Sequence, residues 1–280
     1  DPEFALAYTG ICDVWFESQI MGFTQPAEAI PKALAALTKA LELDSTRAEI
    51  YFTSGNVNKN IKWDWKSSEA EFKKAGALNP NYAEAHAAYS NLLMIVGRLD
   101  EAIEQGELAY KLDPLNPLCK SLYGITLFYS YRYKDAIKVF QDALKMDPTN
   151  PLALSILPLA LYMLGKHGEE MEAWKSYYNS TFKEFTHVFD QGYAKAGYAG
   201  ALNLEADTLI AQSKNNYITP EGIAILYACA GNKKRALDLL ENAYNVRDPN
   251  LPYLRNPVYD ILHDEPRFQD LCRKMNLTYK

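Results

Sequence analysis

ALKMDP, residues 143–148, ends a run of apolar residues at helical spacing and stops it with a proline. The same ending stands twice before it, as AYKLDP at 109–114 and AGALNP at 75–80. Pro80, Pro114 and Pro148 are therefore 34 residues apart. Ala75, Ala109 and Ala143 share that period, as do Phe72, Gly106 and Phe140, and Leu78, Leu112 and Met146. A fixed period of this size marks a repeat architecture in which each unit is one supersecondary element.

With the proline numbered 32, repeats begin at 83, 117 and 151, preceded by one at 48 that carries a single extra residue. Position 8 is small (Gly55, Ser90, Gly124), and position 20 holds Ser68, Ala102 and Ala136. Position 15 holds Trp63, Gly97, Tyr131 and Gly165, and position 17 holds Trp65, Leu99, Tyr133 and His167. Apolar residues recur at helical spacing on both sides of positions 15–18, so each repeat is two amphipathic helices flanking a turn. Small residues let the two helices approach closely. The proline ends the second helix, because it cannot continue the hydrogen-bond ladder and restricts the residue before it. One such hairpin cannot bury its apolar faces alone, so neighbours must stack.

These residues resemble the tetratricopeptide repeat family, most strongly over 48–150. The resemblance implies an all-α, right-handed superhelical solenoid of about seven antiparallel helical hairpins with a C-terminal helical cap. Hairpins are expected at 1–47, 48–82, 83–116, 117–150, 151–182, 183–216 and 217–250, within a solenoid domain of 1–250. The repeat at 151 departs from the pattern, with Pro158 at position 8, Glu170 at position 20 and an ending, YYNSTFKEF, that loses the proline. Residues 251–280 carry three prolines and a final short helical pattern, and are expected to cap the last hairpin. FALAY, WDW, RALDLLENAYNVRDPNLPYL and DEPRFQDLCRKMNL together resemble the repeat region at the C-terminal end of bacterial multidomain signalling proteins. Those include winged-helix regulators, serine/threonine kinases and nucleotide cyclases. This resemblance implies a regulatory or interaction module of a larger protein.

Composition is that of an ordinary globular chain: 280 residues, 48% hydrophobic, net charge -6. The acidic balance argues against direct nucleic-acid contact. Cys12, Cys119, Cys229 and Cys272 form no CxxC pair and are expected as core fillers, which leans toward a reducing, cytoplasmic compartment. The extracytoplasmic side of a membrane-anchored regulator is the alternative. No run of about 18 apolar residues suggests a membrane span. DPEF at the start fits either native sequence or a cloning scar.

Nothing in the sequence calls for a catalytic residue, a cofactor or a metal. His86, His167, His187 and His263 lack the oriented partner that a catalytic histidine needs in sequence-readable motifs. GEEMEAW at 168–174 is expected as a solvated helix face, and KKR at 233–235 is too short for phosphate neutralisation.

The family resemblance places positions 2, 5, 6, 9, 12 and 13 of each first helix on a concave groove. A partner-binding row follows: Asn56, Asn60, Asn91, Met94, Ser121, Leu122, Ile125, Phe128, Tyr129, Ile156, Leu159, Tyr162 and Met163. Its asparagines can hold a peptide backbone, since an amide both donates and accepts. Its middle is apolar and is expected to be exposed to a partner. Ala87, Ala88, Ser121 and Leu122 stand where chaperone-binding members carry basic residues, so a carboxylate clamp is not expected. In FYSYRYKDA (128–136), Phe128 and Tyr129 fall in the groove, Tyr131 at the turn and Tyr133 in the core, which does not make a base-stacking strip. The function expected is a non-catalytic protein-interaction module binding a peptide, helix or protein, with self-association a further option. The alternative is a small-molecule sensor with a pocket lined by Tyr129, Tyr162 and Met163.

Overall fold

The computed structural model describes residues 3–181, 186–214 and 216–278. Its helices pair in chain order: α1 (Ala5–Ile20) with α2 (Pro26–Leu43), α3 (Ala48–Val57) with α4 (Trp65–Leu78), and α5 (Ala83–Ile95) with α6 (Leu99–Leu112). Next come α7 (Pro117–Tyr129) with α8 (Tyr133–Met146) and α9 (Pro151–Met163) with α10 (His167–Thr181). The segment α11 (Thr186–Gln212) breaks at Ala196 and Gly197, where the backbone is non-helical. Its halves fold back on each other so closely that a side chain on Gly192 would meet the Ala201 backbone at 2.7 Å. Then α12 (Pro220–Cys229) pairs with α13 (Lys233–Asn245). The expected boundary at 182–183 lies outside the described residues, as do Asp1, Pro2, Tyr279 and Lys280.

The turn inside each hairpin has one steric demand. Gly97, Gly165, Gly197 and Gly231 have positive φ, and so do Trp63 and Tyr131 at the same place in their hairpins. The left-handed residue lets the next N–H reach back to a helix carbonyl: Arg98 to Leu93, Arg132 to Leu127, Lys166 to Leu161, Asn232 to Tyr227. In hairpin two the reach is one residue longer, from Asp64 N to Asn58 O. There the helix closes in a single π turn, Asn58–Lys62, which absorbs the extra residue of the repeat that begins at 48.

Contact inside a hairpin depends on the small residues. The Gly124 Cα lies against the Phe140 ring, and an added methyl would stand 2.6 Å from it; Gly55 and Phe72 repeat this two hairpins earlier. Ser68 Oγ donates to Gly55 O at 2.9 Å, and Ser90 Oγ to Ala102 O at 2.6 Å, so the hydroxyls at this seam are satisfied. Between hairpins, the Asn-Pro pairs serve as helix starts. Asn116 and Asn150 accept from the first free N–H groups of α7 and α9, whose first residues are the prolines.

The fifth hairpin corrects one expectation. Glu170 is not on a solvated face but fully buried, accepting from Trp174 Nε1 at 3.2 Å and from the Tyr198 hydroxyl, with His167 Nδ1 at 3.2 Å. It occupies the position that is alanine or serine in its neighbours, so it points into the hairpin seam, and three polar rings make that burial tolerable.

After α13 the chain makes two 3-10 turns, Leu251–Tyr253 and Pro257–Leu262, and a last helix, α14 (Pro266–Lys274). These pack on α12 and α13, and the second turn also reaches α9. One apolar cluster joins Met94, Ile125, Phe128, Tyr129 and Leu159 to Leu251, Leu254, Val258, Tyr259 and Leu262. The first hairpins keep a separate core of their own around Cys12, Phe16, Leu37, Ala40 and Ile50.

Gly124→Val should lower the urea midpoint by an amount equivalent to about 1–3 kcal/mol, through overpacking against Phe140. Unchanged stability would mean that the α7–α8 seam is looser than described.

Candidate functional site

The residues expected to form a concave row stand on α3, α5, α7 and α9, with Asn60 in the π turn that continues α3. Of the expected row, Asn60, Asn91, Met94, Ser121, Ile125, Phe128, Tyr129 and Leu159 are buried, and Asn56, Leu122, Ile156, Tyr162 and Met163 are half-buried. The apolar middle is therefore not open. What covers it is the chain's own segment after α13.

The cover is held by side chains of the row. Asn60 Nδ2 donates to the Pro249 carbonyl at 3.0 Å. Asn91 Oδ1 accepts from the Tyr253 hydroxyl at 2.9 Å and from Lys59 Nζ at 2.8 Å. The Tyr129 hydroxyl donates to the Tyr253 carbonyl at 3.4 Å, and the two rings meet edge-on at 6.3 Å. The amides thus hold a backbone and a phenol, but of the same chain.

The turn edge of the hairpins completes the clasp. Trp65 Nε1 donates to Met275 O at 2.8 Å, and the Tyr131 hydroxyl to Asp260 at 3.2 Å. The Arg255 guanidinium lies against Gly97, where any Cβ would stand 2.9 Å from it. Trp63 packs on Tyr244 at 5.6 Å between ring centres and carries the Arg247 guanidinium 4.3 Å above its ring. A left-handed backbone costs a non-glycine residue roughly 1–2 kcal/mol. At Trp63 and Tyr131 that cost coincides with rings that reach the far end of the solenoid. These turn residues, with Trp65, are the ones that sequence reasoning left out of the site. The available signal was an aromatic residue where the other repeats have glycine.

Charge is buried along the same seam. Burial depresses the Lys59 ammonium to about 7, against the pull of Glu17. Desolvation also raises Asp13, held by a 2.8 Å bond from Thr53 Oγ1, and Glu17, which stays exposed at the edge of the seam. Under the tail, burial raises the Glu221 carboxyl to about 8, with Asp248 adding repulsion, although Tyr259 donates to it at 2.8 Å. Asp248 itself is raised by burial to about 6, against two backbone donors, Glu221 N and Asn250 N, each at 2.9 Å.

Phe52, Asn56, Tyr82, Leu122 and Ile156 stay half-buried. Phe52 and Tyr82 pack at 5.3 Å, and burial raises the Tyr82 hydroxyl, with the negative charges of Glu84, Glu49 and Asp13 adding to it. Glu84 also accepts from Asn116 Nδ2 at 3.1 Å. Two of the three residues of the expected sensor pocket go to different neighbours: Tyr129 faces Tyr253, whereas Tyr162 stacks on Tyr198 at 6.1 Å. All four cysteines are free and buried. Among the described residues, no group of three His, Cys, Asp or Glu could hold a metal ion, and no helix is long and apolar enough to cross a membrane.

A tetratricopeptide repeat family model matches residues 124–179. No curated protein matches the chain. Among solved structures, the chain is similar to PilW, a type IV pilus biogenesis factor, at TM-score 0.52 and 16% identity, covering 95% of this chain and 97% of that one. It also matches PilF of Pseudomonas aeruginosa (TM-score 0.48, 15% identity, 88% and 96% covered). YrrB, described as a TPR protein with an unusual peptide-binding site, matches at TM-score 0.43 and 18% identity, with 85% and 98% covered. The PilW likeness shows the fold: an all-α solenoid of paired antiparallel helices.

Leu254→Ala should cost about 2–4 kcal/mol in urea denaturation and speed amide exchange in α5 and α7, because Leu254 is buried in the apolar cluster that joins the tail to the row. A second expectation concerns pH. Glu221 and Asp248 hold their protons more tightly folded than unfolded, so stability should fall as pH rises from about 4 toward 8. Lys59 acts with the opposite slope, regaining stability above pH of about 7. Glu221→Gln should reduce the loss between pH 5 and 7.5 by on the order of 1 kcal/mol; an identical loss in both proteins would refute this.

Proposed function

We propose that this chain is a non-catalytic protein-interaction module that holds a peptide or helix of a protein partner on its concave side. One observation carries this reading: the row already holds a stretch of polypeptide, through Asn60 on the Pro249 carbonyl and Tyr129 on the Tyr253 carbonyl. A surface that grips main chain by side-chain donors has the chemistry of peptide recognition. The partner meets the part that the tail leaves accessible, around Asn56, Phe52, Tyr82, Leu122 and Ile156. Asp13, Glu49 and Glu84 there favour a segment with Lys or Arg beside apolar side chains. A place as the regulatory part of a larger bacterial signalling protein is the finer reading; its support is the sequence resemblance of WDW and DEPRFQDLCRKMNL.

Selection of a displayed random-peptide library on the whole chain should yield basic-apolar binders. Phe52→Glu and Leu122→Glu, checked for retained helicity and melting, should each weaken them about tenfold or more. Binders that all tolerate both changes would move the site away from this row.

A further inference from the structure

The turn that leads out of α13 is built on two buried carboxyls. Arg247 has a positive φ, which lets Asp248 N reach back to Ala243 O at 2.9 Å and end the helix. Asp248 then accepts from Glu221 N, at the start of α12, with one oxygen and from Asn250 N with the other, each at 2.9 Å. Glu221 in turn accepts from the Tyr259 hydroxyl at 2.8 Å. Asp248 is completely buried, and Glu221 is 5% exposed. One carboxyl thus fixes where the tail leaves α13, and the other holds its second 3-10 turn.

No positive charge offsets this pair. The groups that face it are Tyr259 from the second 3-10 turn, Tyr253 from the first, Tyr129 from α7 and Tyr217 from the segment before α12. All four are phenols, and Cys229 of α12 lies near Tyr259. Among the described residues neither carboxyl has a Lys, Arg or His partner. Beyond Tyr253 stand Glu17 and Lys59, the latter sharing Asn91 with it. Two carboxyls in one buried site resist ionising together. Burial accordingly holds Glu221 up at about 8, with Asp248 adding repulsion, and Asp248 at about 6.

Beyond this turn the chain is a cover. Residues 249–253 are held on the row by Asn60 on the Pro249 carbonyl, Asn91 on the Tyr253 hydroxyl and Tyr129 on the Tyr253 carbonyl. Asn60 Oδ1 is buried there without a hydrogen-bond partner, so lifting the cover hydrates it together with the two carboxyls.

We propose that residues 248–262 are a proton-gated strap. It is seated while the Glu221–Asp248 pair holds a proton, and it lifts about the Asp248–Asn250 turn when both are ionised, which bares Asn60, Asn91 and Tyr129. That the bared row then receives a partner rests on the reading of the row as a binding surface; the lifting itself does not. Protons bind the seated state more tightly than the lifted one, so rising pH shifts the population toward lifting, from about pH 4 to about pH 8. Lys59 under the same strap works against this, because its burial is easier once it is neutral.

Amide exchange of the whole chain at about pH 5 and about pH 8, corrected for the intrinsic rate, tests the strap. Protection of the 251–262 amides should fall about tenfold or more between the two, relative to α2, whose core around Leu37 and Ala40 is separate. Glu221→Gln keeps an acceptor for Tyr259 but has no carboxyl proton to lose, and should remove most of that fall. In the unaltered chain the Glu221 side-chain carboxyl carbon should titrate in step with the loss of protection. No relative loss, strap and α2 losing protection together, an undiminished fall in Glu221→Gln, or a Glu221 titration at its ordinary value near 4.5 would each overturn the proposal. These readouts need no partner, so they stand or fall apart from the peptide selection.

Discussion

The architecture depends on the contact between the segment after α13 and the concave row. In an open solenoid each repeat touches only its neighbours, and stability is close to a sum of nearest-neighbour terms. Here Asn60, Asn91 and Tyr129 bind residues 249–253, so hairpins two to four are tied to the seventh. Burial of Leu251, Leu254, Val258 and Leu262 contributes roughly 1.5–3 kcal/mol for each side chain. The hydrogen bonds add less net energy, but they fix the register, because each donor left without its acceptor would be buried and unsatisfied. This long-range closure distinguishes the chain from a simple stack.

The seam is polar as well as apolar, and this has consequences. Lys59, Glu221 and Asp248 are buried with neutral or backbone partners, which stabilise them less than opposite charges would. Such groups lower overall stability, yet they define one seating of the tail, since a slipped register would strand them. The π turn at Asn58–Lys62 is part of the same arrangement. It inserts one residue into α3's continuation, where Lys59 and Asn60 meet Asn91 and Pro249. Turn KKR, by contrast, is spent on surface pairing: Lys233 reaches Glu265 at 3.3 Å, and Arg235 pairs with Asp207 over the Tyr227 ring.

The first and last helices described here differ in what covers them. The C-terminal end is closed by α14 and its two preceding turns, which cover α12 and α13. On α1, Phe4, Ile11, Val14 and Met21 are exposed among the described residues.

The sequence by itself determined the hairpins. The 34-residue spacing of Pro80, Pro114 and Pro148, the small residues at Gly55, Ser90 and Gly124, and the turn glycines are local demands of helix ends, close approach and positive φ. Each is visible in one short window. Glu170 shows the limit of that legibility: its departure from alanine was visible, but its burial depended on Tyr198, 28 residues away. The fate of the concave row was decided only by tertiary structure. Met94, Ile125 and Phe128 have the composition of an open apolar groove and of a core alike. Whether they meet solvent depends on where residues 249–262 return after a full course of hairpins. That return is a sum of small rotations between repeats, and no single residue encodes it. Trp63 and Tyr131, aromatic where glycine would be easier, were its one local trace.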